Sequence, residues 1–201
     1  MTSPTIQRAT KAFREKGGTL RTSEAIAAGI HPRTLYQMRD AGLLVKLSRG
    51  LYRLSDLPPL GNPDLALVAA KVPHGVICLI SALAYYELTT QIPHQVYLAL
   101  KRGSEPPRLD NPPLRLFWFS RSMFEAGIEH HAVDGFKLQV YGPAKTMADC
   151  FRYRNKLGLD VPLEALRLYR ERSSFDIEEI LHYARICRVE QVMRPYLEAI
   201  L

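Results

Sequence analysis

The stretch PRTLYQMRDAGLLVKLSRGLYRL, residues 32–54, decides the fold of the N-terminal part of the chain. Proline suits the first position of a helix, and Gly42 is the residue type that ends one. The apolar segments LLVKL and LYRL follow, separated by Ser48, Arg49 and Gly50, which predicts a tight β-hairpin. A short helix followed directly by a basic hairpin is the order in which a winged helix-turn-helix ends.

The residues before this stretch supply the other helices of such a module. Apolar residues at helical spacing predict a first helix over residues 4–16, ended by Gly17–Gly18. After a short extended piece, Thr22 or Ser23 is expected to cap a second short helix that ends at Gly29. Residues 1–54 are therefore predicted to form a winged helix-turn-helix DNA-binding domain.

Positive charge is concentrated in the same part of the chain. Residues 1–54 contain ten Lys or Arg residues against three acids, whereas the other 147 residues contain 17 of each. The net charge of +7 thus belongs entirely to the first quarter of the protein. This distribution is expected of a nucleic-acid-binding module joined to a domain with another role.

The predicted third helix has an apolar side with Leu35 and Met38, and a polar side broadly opposite. Arginine and glutamine on such a face can make bidentate hydrogen bonds with guanine and adenine edges, although a polar helix face is often merely solvated. Cations on the hairpin would neutralise flanking phosphates. The predicted DNA-contacting residues are Arg33, Thr34, Tyr36, Gln37, Lys46, Ser48, Arg49 and Arg53.

A proline-rich segment, SDLPPLGNP at residues 55–63, is predicted to be a linker, because neither helix nor sheet tolerates this composition in its interior. Residues 64–201 then form a second domain of the α+β class, with a small, mostly antiparallel sheet and a helical end. Asp134–Gly135 suits a type I′ hairpin turn. The predicted helices are 64–71, 79–88, 144–157, 162–172 and 176–201, the last bent or broken near Pro195, and the predicted strands are 95–100, 114–119 and 128–141.

The sequence contains no recognisable catalytic, cofactor or metal motif. His130 and His131 are adjacent, so on a strand they point to opposite faces and cannot chelate one ion. The three cysteines form no Cys-x-x-Cys pair, and their odd number without a secretory leader indicates the cytoplasm. The longest apolar stretch, Gly75–Ala84, is about half of the roughly 20 residues that a membrane-spanning helix needs. We expect no catalytic activity, no cofactor and no membrane association.

The segment YGPAKTMADCFRYRNKLG, residues 141–158, carries polar residues three and four positions apart on a packing helix. These residues are a candidate surface for a protein partner. An ordinary ion pair between Asp149 and either Arg152 or Lys145 explains the pattern equally well. The candidate partner face comprises Lys145, Thr146, Asp149, Arg152 and Arg154.

The wing SRGLYRL together with the later helix PAKTMADCFRYRNKLG resembles the AbiEi family of antitoxins, which belongs to type IV toxin–antitoxin systems of abortive infection. The resemblance extends over nearly the whole chain, with Lys145 standing where arginine is common before Thr146. It implies a winged domain that binds inverted repeats in double-stranded DNA and represses its own operon. It also implies a C-terminal domain that counters a neighbouring toxin resembling a nucleotidyltransferase.

Two other functions remain open from the sequence. In a plain transcription regulator, the second domain would dimerise or sense a ligand, and no toxin would exist. A nuclease is the other alternative, because similar winged modules are fused to endonuclease-like domains. The sheet-forming segments here are nearly free of acids and lack an Asp followed by Asp/Glu-x-Lys, which disfavours the nuclease.

Overall fold

A computed structural model of the protein describes residues 3–200. The chain divides into two compact units, the first extending to Pro63 and the second beginning at Asp64. Both units combine helices with β-sheet, which confirms the predicted α+β class. Met1, Thr2 and Leu201, which the predicted domains include, lie outside the described residues.

The first unit has the element order of a winged helix-turn-helix. Its elements are α1 (Pro4–Glu15), β1 (Thr19–Arg21), α2 (Thr22–Ala27), α3 (Pro32–Asp40), β2 (Leu44–Ser48) and β3 (Leu51–Leu54). The strands form an antiparallel sheet in the order β1-β3-β2. The three predicted helices and the hairpin are all present, and the short extended piece between the first two helices pairs with the hairpin as a third strand.

The start of α2 differs from the expected side-chain cap. Arg21 occupies the N-cap position, and its backbone N–H donates to the Glu24 carboxylate at 2.7 Å. Thr22 is already the first helical residue. A carboxylate three residues into a helix can satisfy the N-cap amide by itself, so the hydroxyl of Thr22 or Ser23 is not required there.

One apolar core holds the helices and the sheet of the first unit together. Phe13 of α1 and Met38 of α3 have no exposed surface, and they belong to one buried cluster with Leu20 of β1 and Tyr52 of β3. Burial of side chains of this size contributes about 1.5–3 kcal/mol each. The cluster therefore fixes α3 against the sheet and leaves its other side free.

The second unit is built on a five-stranded sheet. Its elements are α4 (Pro63–Lys71), β4 (Val76–Ile77), α5 (Leu79–Tyr85), β5 (Val96–Lys101), β6 (Leu114–Phe119), α6 (Arg121–Glu125), β7 (Ile128–Val133), β8 (Phe136–Tyr141), α7 (Pro143–Arg152), α8 (Arg154–Leu157), α9 (Asp160–Arg170), α10 (Ile177–Ile186) and α11 (Glu190–Ile200). The strand order is β6-β5-β4-β8-β7. The sheet is mixed, since β4–β5 and β7–β8 are antiparallel whereas β4–β8 and β5–β6 are parallel.

Side chains that alternate between the two faces of the strands form two separate apolar layers. On β5, Val96, Leu98 and Leu100 belong to a cluster with α4, whereas Tyr97 and Ala99 belong to a cluster with α5, α7 and the C-terminal helices. Successive side chains of a strand point to opposite faces, so the sheet lies between α4 and the larger helical layer. The second face positions α7, which carries four of the five candidate partner residues, with Arg154 at the start of α8.

Two local predictions about the second unit have opposite outcomes. The hairpin turn at Asp134–Gly135 is confirmed, because both residues have positive φ, 53° and 85°, as a type I′ turn requires. The predicted single helix over 176–201 is interrupted, but not at Pro195, which lies inside α11. The chain instead turns at Arg188 (φ 57°), where the Val189 N–H donates to the Ala184 carbonyl and ends α10.

Candidate nucleic-acid interface

The N-terminus of α3 is capped by a side chain of the residue that precedes it. Pro32 occupies the first helical turn, and Nδ1 of the His31 imidazole accepts a hydrogen bond from the Arg33 backbone N–H at 3.1 Å. His31 therefore acts as the N-cap. This geometry places the Arg33 side chain in the first turn of the helix, the part of a recognition helix that approaches base edges in the major groove.

The exposed face of α3 contains the residues predicted to contact bases. Arg33, Tyr36 and Gln37 are exposed, with Tyr36 at 48%, whereas Leu35 and Met38 are buried in the core. The predicted division of the helix into a core side and a DNA side thus agrees with the burial of these five residues.

Arg39 joins this face, although the sequence analysis did not include it. Its guanidinium carbon lies 5.2 Å from the centre of the Tyr36 ring, and its Nη2 lies 2.7 Å from Asp40 Oδ1. The hydrogen bond and charge of Asp40 raise the pKa of Arg39 above its ordinary value. Spacing of three residues on a helix could have indicated the Tyr36–Arg39 contact. The contact holds the Tyr36 ring at the surface.

The β2–β3 hairpin supplies the wing. Lys46 and Arg49 are exposed, and the register between the strands shifts between Lys46 and Ser48. Gly50 has a φ of 71°, a backbone conformation that glycine adopts without strain, and it allows the tight reversal before β3. The hairpin therefore presents two cations near its tip, where they can contact DNA phosphates.

Three residues predicted to contact DNA from the exposed surface of α3 and the wing require correction, because their side chains are turned away from that surface. Thr34 is only 6% exposed, and Ser48 Oγ is buried without a hydrogen-bond partner among the described residues. Arg53 lies opposite Thr19 in the sheet and donates to Thr19 Oγ1 at 3.3 Å and to the Pro58 carbonyl at 2.8 Å. Arg53 thus ties the proline-rich segment to the sheet and does not present its guanidinium to a ligand.

In the second unit, the candidate partner face on α7 and α8 also requires correction. Lys145, Thr146 and Asp149 have no exposed surface. Lys145 Nζ donates to Asp149 Oδ2 at 2.5 Å, and the Thr146 hydroxyl donates to the Tyr141 carbonyl at 2.9 Å. The ion pair weighed as an alternative is therefore present, and these three residues stabilise the interior of the unit.

The two arginines of the same candidate face lie nearer the surface. Arg152 is exposed but donates to the Cys187 carbonyl at 2.8 Å, and half-buried Arg154 donates to the Phe151 carbonyl at 2.9 Å. Both guanidiniums hold the ends of helices in place, and each has further donors for a partner. Of the five predicted residues, only these two can take part in a surface.

The remaining histidines do not form a metal site. Among residues 3–200, no group of three or more His, Cys, Asp or Glu side chains is placed to hold a metal ion. His131 Nε2 lies 3.1 Å from Glu129 Oε2 and 3.2 Å from the Tyr86 hydroxyl. Within the same described range, no helix is long and apolar enough to cross a membrane.

Comparison with known proteins agrees with the geometry of the first unit. Residues 7–55 match the family described as "Transcriptional regulator, AbiEi antitoxin". This match confirms the resemblance predicted from the sequence. The AbiEi match spans all of α2, α3 and the wing, whereas the later helix that resembles the family, residues 143–158, lies outside the matched residues.

A solved structure is similar in fold to nearly the whole length of this chain. The RV2827C protein from Mycobacterium tuberculosis superposes with a TM-score of 0.59 over 98% of this chain and 82% of its own, at 13% sequence identity. At this identity the similarity shows the fold alone. No curated protein matches the chain.

Proposed function

We propose that this protein is a DNA-binding antitoxin that represses its own toxin–antitoxin operon. Its winged unit would bind double-stranded operator DNA, with inverted repeats, in the cytoplasm. The observation that carries the proposal is the exposure of Arg33 and Gln37 on α3 beside the cations of the wing, within residues 1–54, which hold the net charge of +7. The AbiEi match over residues 7–55 supports the same function.

The proposed interface has one part that contacts bases and another part that contacts phosphates. Arg33 and Gln37 would make bidentate hydrogen bonds with bases in the major groove, each worth about 1–3 kcal/mol of discrimination. Lys46 and Arg49 would contact phosphates, which gives affinity without sequence preference. Tyr36 would touch a phosphate or a thymine methyl group.

The second unit would counteract a neighbouring toxin that resembles a nucleotidyltransferase. Beyond residue 54 the chain contains 17 basic and 17 acidic residues, and this balanced charge favours a protein partner over nucleic acid. The word antitoxin in the description of the matched family supports this part of the proposal. Arg152 and Arg154 are the members of the predicted face that a toxin could reach.

A separation-of-function experiment tests the two parts. The full chain and a variant with Arg33→Ala, Gln37→Ala and Lys46→Ala would each be expressed from an unrelated promoter beside the toxin. We expect the variant to lose binding to the upstream region of its operon while it still relieves growth arrest. Residues 64–201, which form a compact unit from Asp64 on, should also relieve growth arrest.

The alternatives give different results in this experiment. A plain regulator would bind the upstream region, but neither the variant nor the 64–201 fragment would relieve growth arrest. A nuclease would cleave the duplex in the presence of Mg²⁺. Failure of the intact protein to bind the upstream region at low salt would contradict the DNA-binding part directly.

A further inference from the structure

A cavity of about 420 Å³ lies in the first unit, between α1 and the turn that leads into α3. Thr5, Arg8 and Ala12 line it from α1. The turn contributes residues 28–31, and the first part of α3 contributes Thr34. No acidic side chain is among the lining residues, so the cavity combines a cation, an imidazole and two hydroxyl groups.

Arg8 differs from the other basic residues of α1 in its contacts. Lys11 lies 3.8 Å from Glu15, and Arg14 is paired with Asp56. The side chain of Arg8 is exposed and forms neither a hydrogen bond nor an ion pair with another residue in the range 3–200. Its guanidinium charge is therefore available to a ligand, and it can donate two parallel hydrogen bonds to one phosphate.

Thr34 supplies an independent indication of a ligand. It is 94% buried, lines the cavity, and its hydroxyl makes no hydrogen bond with any described residue. Among the described residues the one fully buried side-chain oxygen without a partner is Ser48 Oγ, so the Thr34 oxygen keeps contact with the cavity and can donate to an anion bound there. The positive end of the α3 dipole, at His31, also favours negative charge on this side.

We infer that this cavity holds a phosphate group of the DNA backbone, with Arg8 as its principal donor and Thr34 and Thr5 as hydroxyl donors. The inference rests on the proposed DNA-binding function and extends it to a residue outside the recognition helix and the wing. A phosphate bound beside the N-terminus of α3 would fix the position at which Arg33 enters the major groove. The site has no base-reading group, so its contribution is the same on every sequence.

The test compares Arg8→Ala and Arg8→Lys with Lys16→Ala in the full chain. Lys16 carries the same charge but lies eight residues further along, about 12 Å away at the helical rise, and does not line the cavity. Binding to the upstream duplex and to a random duplex would be measured against salt. For Arg8→Ala we expect about a 10-fold loss on both duplexes and a salt slope reduced by about 0.9, whereas Arg8→Lys keeps the charge and should lose less affinity with the slope retained.

A duplex with single neutral methylphosphonates locates the contact. The intact protein should lose affinity at one backbone position, and Arg8→Ala should show no further loss at that position. Inorganic phosphate alone serves as the second probe. If it binds saturably at Thr34 while Arg8→Ala binds DNA normally, the cavity is a site for free phosphate and the inference is overturned.

The remaining outcomes separate this inference from the proposed function. If the intact protein binds DNA and Arg8→Ala behaves like Lys16→Ala, only the inference fails. If the intact protein does not bind DNA, the proposed function fails and the inference with it. Circular dichroism of each variant excludes unfolding as the cause of any loss.

Discussion

Lys145 Nζ lies 2.5 Å from Asp149 Oδ2 in the core of the second unit, and neither side chain has exposed surface. The ammonium group also lies 4.1 Å from the centre of the Tyr141 ring, and the Cys187 thiol donates to Asp149 Oδ1 at 3.2 Å. Burial raises the pKa of Asp149, and the charge of Lys145 opposes that shift. Each charge is thus tolerated in the core only while the other is present.

The first prediction is that Lys145→Met destabilises the second unit by about 3–5 kcal/mol, because it leaves the Asp149 carboxylate buried without a cation. Urea denaturation of the full chain would measure this loss. Trp118, the single tryptophan, lies in the second unit and reports its unfolding by fluorescence.

The control is the double variant Lys145→Met, Asp149→Leu, which removes both charges and should recover most of the lost free energy. The deficit of Lys145→Met should also shrink at acidic pH. A folded-state pKa raised above the ordinary 3.8 means that stability is lost as pH rises through that range and is regained as the carboxyl takes up a proton. A deficit independent of pH, with no recovery in the double variant, would contradict the role of charge.

The second prediction concerns salt. All of the net charge of +7 lies in residues 1–54, so DNA binding should release counterions from several phosphates. If about five phosphates are contacted, the slope of log affinity against log salt is about −4 to −5. Fluorescence anisotropy over a salt series measures it, and affinity unchanged by salt would be incompatible with this interface.

The third prediction separates base reading from phosphate contact. Arg33→Ala should cost roughly 1–3 kcal/mol on the operator and little on random DNA, because its exposed side chain reads a base. Arg49→Ala should weaken binding to both duplexes alike, since it contacts phosphate. Parallel titrations with the two duplexes give both values.

Arg53→Ala is the matched control for these two variants. Because Arg53 donates to the Pro58 carbonyl, its loss should lower the thermal stability of the first unit and leave the salt slope unchanged. Equal losses from Arg33→Ala on operator and random DNA would mean that α3 positions the protein without reading sequence.

The fourth prediction is that the three thiols do not react in the folded protein. Cys78, Cys150 and Cys187 are free and buried, and burial raises the pKa of each thiol above its ordinary value. The thiolate is the reactive form, so it is scarce at neutral pH. Ellman's reagent should modify none of them in native buffer and all three in guanidinium chloride. Rapid modification of one thiol under native conditions would show local opening of the core.

The fold of the first unit could be predicted because each element carries its own signal. Helical spacing, glycine at helix ends and the basic hairpin define it locally. The burial of Thr34 and the tie between Arg53 and Pro58 could not be predicted in this way. Both depend on distant segments, since Thr34 lies beside Thr5 and Arg8 of α1 and Arg53 lies opposite Thr19 of β1.

In the second unit, too, the elements with a strong local sequence pattern were the ones that could be predicted. The turn at Asp134–Gly135 is correct, whereas the two-residue strand β4 was missed because it is hidden in the apolar run GVICLISALA. The prediction that Lys145 and Asp149 lie at the surface was wrong for a related reason. Spacing of four residues indicates that two charges can pair, but only the layers of helix on either side decide whether the pair meets water.

Strand β4, with only Val76 and Ile77, is the middle strand of the five, and it joins two longer ladders. It pairs with β5 on one side and, through Ile77 and Val140, with β8 on the other. The flanking pairs β5–β6 and β7–β8 each align six residues. Under a mechanical load applied across the strands, we therefore expect the sheet to separate at β4. The strand pairs β5–β6 and β7–β8 should each stay intact when this happens.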